Sequence, residues 1–199
     1  WQNSPSVIIG RNQNAFSEVN LDELRCRGYS LVRRMTGGGA VYHDLGNLNF
    51  SFILPLAAYH EPSTEDLLRP LMDYLDSVGV SVVMEGRNDL SIPGQGKFSG
   101  LASRRLTNGW QLHGTIMFDV DTSVLEKVLL VDPEKYRSKG VQSVRARVTN
   151  LKEHLNMDMP TLWAGIKTAY GYTASSIPEA IQKAAQQLAD KKYGQDDWN

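Results

Sequence analysis

The chain has 199 residues, 41% hydrophobic and 22% charged, which suits one globular domain with a sizeable core and excludes a disordered or fibrous protein. A formal net charge of −1 excludes bulk attraction to nucleic acid or an anionic membrane as the main theme. The single cysteine, Cys26, excludes an internal disulfide framework and a cysteine-based metal cluster, as expected in a reducing compartment. No apolar run is of membrane-spanning length, and the first residues lack a charged-then-apolar signal pattern.

In chain order, Ser6-Val7-Ile8-Ile9 is a short apolar run ended by Gly10 and reads as a buried strand. Asn20 is placed to cap a helix carrying Glu23, Leu24 and Arg27, with Gly28 as its stop. Ser30-Leu31-Val32 returns as a strand and runs into Arg33-Arg34-Met35-Thr36-Gly37-Gly38-Gly39-Ala40-Val41-Tyr42-His43-Asp44. Glycines here let the backbone take positive φ and bring its N–H groups close to a ligand, and two arginines supply charged donors suited to phosphate or carboxylate. A tight hairpin turn with solvated arginines is the competing reading of this stretch.

Residues 47–52 alternate, with Leu48, Phe50 and Phe52 on a core face and Asn47, Asn49 and Ser51 on a polar one, open either to solvent or to a ligand. Ser63 or Thr64 then caps a helix with Leu67, Leu68, Leu71, Leu75 and Val78, in which Pro70 should kink the axis or delay the start. Residues 80–84 read as a further strand. Gly86-Arg87-Asn88-Asp89-Leu90 is a polar turn whose carboxylate and amide could face a nucleotide or a magnesium ion.

After the turn Pro93-Gly94-Gln95-Gly96, Lys97-Phe98-Ser99-Gly100 opens another strand. It is not a Walker P-loop, because Ser91 and Phe98 stand where a glycine and a Ser/Thr belong. The triple glycine is not a dinucleotide fingerprint either, since Tyr42 takes the third glycine position. Residues 110–118 alternate again and put His113 on the more polar face, with no zinc-type histidine spacing. Asp44 is the expected orienting partner of His43.

Residues 135–152 carry Lys135, Arg137, Lys139, Arg145, Arg147 and Lys152, a basic arm with little aromatic interleaving, suited to closing over an anionic intermediate or docking an acidic partner. Residues 161–170 and 178–193 read as helices, the second with Ile181, Ala184, Ala185 and Leu188 as a buried stripe.

Five of these blocks, in order, resemble lipoate-protein ligases: Arg33 through Asn49, Gly86 through Leu90, Lys97 through Gly100, His113-Gly114-Thr115, and Ser138-Lys139-Gly140-Val141-Gln142-Ser143-Val144-Arg145. The resemblance runs over residues 1–199 and implies an α/β (α+β) fold, a mixed β-sheet flanked by helices, as in biotin protein ligases and class II aminoacyl-tRNA synthetases. It leads us to expect a catalytic domain lacking the family's N-terminal strand and helix and its small C-terminal accessory domain. The implied reaction converts lipoate and Mg-ATP to lipoyl-AMP, then passes the lipoyl group to a lysine of a lipoyl domain, in 2-oxoacid dehydrogenase E2 subunits or the glycine cleavage H protein. The implied location is the cytoplasm, or the mitochondrion if the source is eukaryotic, with neither nucleic acid nor membrane as partner.

Carried over residue by residue, the resemblance implies that Lys97 bridges the lipoate carboxylate and the α-phosphate, that Arg34 holds phosphate, and that Gly39, Ala40, Val41, Tyr42 and Asn47 frame ATP. Gly38, His43 and His113 would lie along the acyl group, Asp89 would contact Mg²⁺ or the nucleotide, and Lys139 and Arg145 would close over the adenylate. The alternatives are an ATP-independent octanoyl or lipoyl transferase working through Cys26, and a non-catalytic lipoate-binding protein, which lipoyl-AMP binding without transfer would identify. A biotin ligase would carry a different glycine–arginine loop.

Overall fold

The computed structural model describes residues 1–55, 63–86, 88–130 and 148–199. The apolar run at the start forms β1 (Ser6–Ile9), followed by the short helices α1 (Ala15–Glu18) and α2 (Leu21–Cys26), then β2 (Ser30–Arg33), β3 (Val41–His43) and β4 (Asn47–Pro55). Asn20 caps α2 by accepting the Glu23 N–H at 3.1 Å, and Gly28 takes φ 66° just beyond its end, as the capping pattern requires. β1 is the centre of a three-stranded sheet, parallel to β2 and antiparallel to β3. Its buried faces pack with Leu24, Tyr42 and residues of α4 (Thr122–Val128), chiefly Val124, Leu125 and Val128.

The second sheet is antiparallel and has five strands, in the order β4, β8 (Gly109–Met117), β7 (Gly96–Leu106), β6 (Asp89–Ile92), β5 (Val83–Glu85). Alternation over β8 is as expected: Trp110, Leu112 and Ile116 are buried, whereas Gln111, His113, Thr115 and Met117 are half-buried on the other face. The inner face packs against α3 (Thr64–Ser77) and α5 (Met159–Ala169) through Leu68, Leu71, Leu75 and Leu162. The fold is therefore α/β with helix-flanked sheets; among the described strands the parallel pair is β1 with β2, and an isolated parallel bridge joins Lys97 of β7 to Val148.

One local alternative is decided and two expectations are corrected. Ser63 caps α3 through the Asp66 N–H at 3.0 Å, and the helix starts at Thr64 and runs through Pro70, so the proline costs one ladder bond without delaying the start. The strand expected at residues 80–84 begins only at Val83. Gly79 takes φ 92°, its N–H meets the Asp76 carbonyl, and the Val80 N–H meets the Leu75 carbonyl, so these residues finish the α3 cap instead. The last helix, α6 (Glu179–Leu188), followed by a π-turn (Ala189–Tyr193), has no buried residue, and its supposed buried stripe lies open, with Ile181 58% and Leu188 51% exposed. An apolar spacing of 3.6 selects a face; burial also needs a partner for it.

Candidate functional site

Pairing with β1 decides where the glycine-rich turn goes. The Arg34 N–H donates to the Ile9 carbonyl and the Arg11 N–H to the Thr36 carbonyl, so the turn is laced to the end of β1. The Arg34 guanidinium donates to the carbonyls of Ile8 (3.1 Å), Gly37 (2.7 Å) and Gly39 (2.8 Å) and, through Nε, to Thr36 Oγ1 (3.2 Å). Burial without a carboxylate lowers its pKa, yet a guanidinium stays charged, so Arg34 is a fixed cation inside the turn. Gly38 takes φ 97°, and a Cβ there would stand 2.8 Å from Arg34 Nη2.

The reading of both arginines as ligand donors is corrected for Arg33. Its guanidinium faces the other way and donates to the carbonyls of Gly10, Gln13 and Trp198, while its backbone carbonyl accepts the Trp198 indole N–H at 2.9 Å. Alternation along β2 sends successive side chains to opposite faces. One arginine thus holds the turn and the other holds the C-terminal residues.

Gly10 is part of the same construction. A Cβ there would fall 2.1 Å from the Gly38 carbonyl oxygen, a backbone atom that cannot swing away. Gly10→Ala should therefore push the turn outward, destabilising the fold by about 1–3 kcal/mol and abolishing ligand affinity at the turn, as urea unfolding and calorimetric titration would show. Wild-type affinity in a folded variant would disprove this account of the turn.

The turn is one wall of two adjoining cavities of about 630 and 360 Å³. Ala40, Val41, His43, Lys97, Gly100 and Thr115 line both. Tyr42, Asn47, Glu85, Asp89 and Ser99 belong to the larger; Arg34, Gly38, Gly39 and His113 belong to the smaller, together with Ile8, Val32, Leu101 and Ala102. Residues spread from 1 to 148 are thus brought into one two-lobed site between the sheets. Its large lobe is the more polar, and its small lobe has an apolar end.

Lys97 stands at the junction. The tight turn at Gly94 (φ 76°) and Gly96 (φ 121°) starts β7, and the Lys97 carbonyl accepts the Thr149 N–H at 2.9 Å, fixing the backbone. A Cβ at Gly100 would lie 3.0 Å from Lys97 Nζ, so the ammonium lies close over this glycine. Asp89 Oδ1 is 2.7 Å from Nζ, an ion pair too oblique to count as a directed hydrogen bond.

The polar face of β4 is not a solvent face at its start: Asn47 and Asn49 are buried, and Asn47 donates its amide to Asn49 Oδ1 at 3.1 Å. His113 Nε2 is 2.6 Å from Thr36 Oγ1, tying β8 to the turn. Asp44 does not orient His43. Its carboxylate accepts the N–H groups of Gly46 and Asp121, and the partner of His43 is Asn3, whose Nδ2 is 3.0 Å from Nδ1. Asn3 was missed because 40 residues separate the two; the antiparallel register Ser6 opposite His43 brings them together. Burial first, then the charges of Arg34 and His113, lower the His43 pKa to about 4, and burial with Arg34 and Arg104 lowers that of His113.

Among the described residues, three buried side-chain polar atoms lack a hydrogen-bond partner, His43 Nε2, Ser99 Oγ and Asp89 Oδ1, the last held instead by its ion pair with Lys97. All three residues line the larger lobe. Unsatisfied buried polar groups are rare, and their clustering in one cavity marks a place prepared for a polar ligand. No group of three or more potential metal ligands occurs among the described residues, so any ion here would take most of its oxygens from a ligand. Arg87, Lys139 and Arg145, with most of the basic arm, lie outside the described residues. Cys26 is exposed at the end of α2 and lines neither lobe.

A family model, "Lipoyl protein ligase A/B catalytic domain", matches residues 1–170. Lipoate–protein ligase 1 of Staphylococcus aureus is 44% identical over 154 residues, covering 77% of this chain and 47% of that protein. The chain thus spans about half the length of the curated relatives it matches. A solved chain from an archaeal lipoylation system of Thermoplasma acidophilum, described as a bi-partite lipoate protein ligase and its E2 lipoyl domain, has a TM-score of 0.86 at 32% identity, covering 100% of this chain and 81% of that one. Lipoate-protein ligase A bound with ATP gives 0.83 at 26% identity, covering 99% and 82%.

Proposed function

The chain belongs to the lipoyl protein ligase A/B catalytic-domain family, and from that membership we propose that it activates lipoate with ATP and hands the lipoyl group to a lysine of a lipoyl domain. The observation that carries this reading is the two-lobed site with Lys97 at its junction. In the first step an oxygen of the lipoate carboxylate attacks the α-phosphorus of ATP, the bond to the β-phosphate oxygen breaks, and pyrophosphate leaves. In the second, the acceptor lysine amine attacks the acyl carbon, AMP leaves, and the amine gives up a proton.

The roles follow from the charges. Joining a carboxylate to a phosphate brings two anions together, and the Lys97 ammonium offsets that repulsion as the new bond forms. Tyr42 and Asn47 lie beside the nucleotide in the larger lobe, with Ala40 and Val41 between the two lobes and Gly39, also proposed to frame ATP, on the smaller-lobe side of that junction. Gly38, His43 and His113 lie along the acyl group in the smaller, whose apolar end takes the dithiolane tail. Arg34 acts on phosphate by its fixed charge and by holding the turn, since most of its N–H groups already serve loop carbonyls. Asp89, whose Oδ1 is ion-paired with Lys97, keeps its proposed place as a Mg²⁺ or nucleotide contact, and such an ion would take most of its ligands from phosphate and water and neutralise phosphate charge. Lys139 and Arg145 keep their proposed place over the adenylate.

E2 lipoyl domains and the H protein are the proposed acceptors, an accessory domain on the same or a separate chain is a proposed partner, and the cytoplasm is the proposed location. No helix among the described residues is long and apolar enough to cross a membrane. The cysteine-thioester alternative is disfavoured by the position of Cys26 outside both lobes. Lipoate-dependent exchange of pyrophosphate into ATP, followed by lipoylation of an apo lipoyl domain, tests the proposal on the whole gene product. Lipoyl-AMP binding without exchange or transfer would replace it with the non-catalytic reading.

A further inference from the structure

His43 is 5% exposed, lines both lobes, and has one ring nitrogen with a partner and one without. The partnered atom, Nδ1, faces the Asn3 amide nitrogen at 3.0 Å. An amide NH₂ only donates, so Nδ1 must present its lone pair, and a neutral ring then carries its proton on Nε2. That N–H meets no acceptor among the described residues. It is a donor beside a cavity that already contains the Arg34 and Lys97 cations, where a neutral donor can meet an anionic oxygen without adding to the crowding of positive charge.

We propose that Asn3 is a positioning residue that holds His43 in its Nε2–H tautomer, so that Nε2 donates to an anionic ligand oxygen at the junction of the two lobes. That this oxygen belongs to the reacting carboxylate or α-phosphate rests on the function proposed above; the tautomer does not. Asn3 itself lines the smaller lobe, and its proposed part in the chemistry is through the ring.

Long-range ¹H–¹⁵N correlation of ¹⁵N-histidine-labelled protein at pH 7, with His43 assigned from its loss in His43→Gln, should show a protonated Nε2 and a bare Nδ1. Asn3→Leu, close in size but without a donor, should shift the Nδ1 signal toward the protonated position as the tautomers mix. It should also lower kcat for adenylation about tenfold, the size of one neutral hydrogen bond, with the KM for ATP unchanged. In the His43→Gln background, where an amide N–H replaces Nε2–H and no tautomer exists, Asn3→Leu should cost less than about threefold. A protonated Nδ1 in the wild type, or an equal loss in both backgrounds, overturns the assignment. Absence of lipoate-dependent exchange in the wild type would instead overturn the proposed function, and the NMR result alone would then decide the role of Asn3.

Discussion

Lys97→Ala is expected to lower lipoate-dependent pyrophosphate exchange by about 10²-fold or more, equivalent to ~3 kcal/mol of transition-state stabilisation, with little loss of folding stability. The two effects separate because of where the charge sits. Lys97 and its partner Asp89 are each about one-third exposed, so water screens the pair, and breaking it should cost the fold less than about 1 kcal/mol. In the closed, ligand-filled site the same ammonium would face two anions from which water has been excluded, and there its charge counts for much more. Lys97→Arg should not restore the rate. The ammonium lies across Gly100, and a planar guanidinium is bulkier than the space that glycine leaves. Cys26→Ala serves as the control and should retain full exchange, because Cys26 is exposed and outside the cavity lining. Exchange kinetics with circular dichroism on all three variants checks the prediction, and undiminished exchange in a folded Lys97→Ala would remove Lys97 from the chemistry.

Features that depend on local chemistry could be read from the residues alone. The β1 run, the Asn20 cap, the β8 alternation and the tight turn before Lys97 each depend on neighbours within a few positions, and the structure has them where expected. What could not be read depends on a second segment. The apolar spacing on α6 is genuine, but whether it is buried is decided by what lies opposite, and no residue of that helix is buried here. Arg33 and Arg34 are chemically identical neighbours, and only pairing with β1 and with the C-terminal residues assigns them opposite tasks. His43 and Asp44 looked like a dyad by adjacency, yet β3 ends at His43 and the Asp44 carboxylate turns to the Gly46 and Asp121 N–H groups, so Asn3 became the partner. The lobed shape of the site, with Lys97 shared between its halves, is also a property of two sheets meeting and has no local signature.

The histidines make stability depend on pH in a predictable direction. In the unfolded chain His43 binds its proton below about pH 6.5, whereas in the fold burial and the charges of Arg34 and His113 hold its pKa down to about 4. Between those values the unfolded state binds more protons, so stability rises with pH; it is fully present above about 6.5 and is lost as pH falls through 4. A shift of that size corresponds to about 3 kcal/mol from His43, and His113, also lowered, adds in the same direction. The cap carboxylates Asp121 and Asp158, held below the usual range by hydrogen bonds from Ser123 and Thr161 respectively, lose their contribution only at still lower pH, which leaves the histidine window separate. Urea unfolding at pH 7, 5.5 and 4.5 should show this loss in the wild type and a shallower slope in His43→Gln, whose side chain has no proton to gain. Parallel slopes would mean that His43 titrates normally, and a ring charged near neutral pH could not serve as the neutral donor beside Arg34 and Lys97. The same burial that costs the protein acid stability is thus what would keep the Nε2–H neutral where two anions must meet.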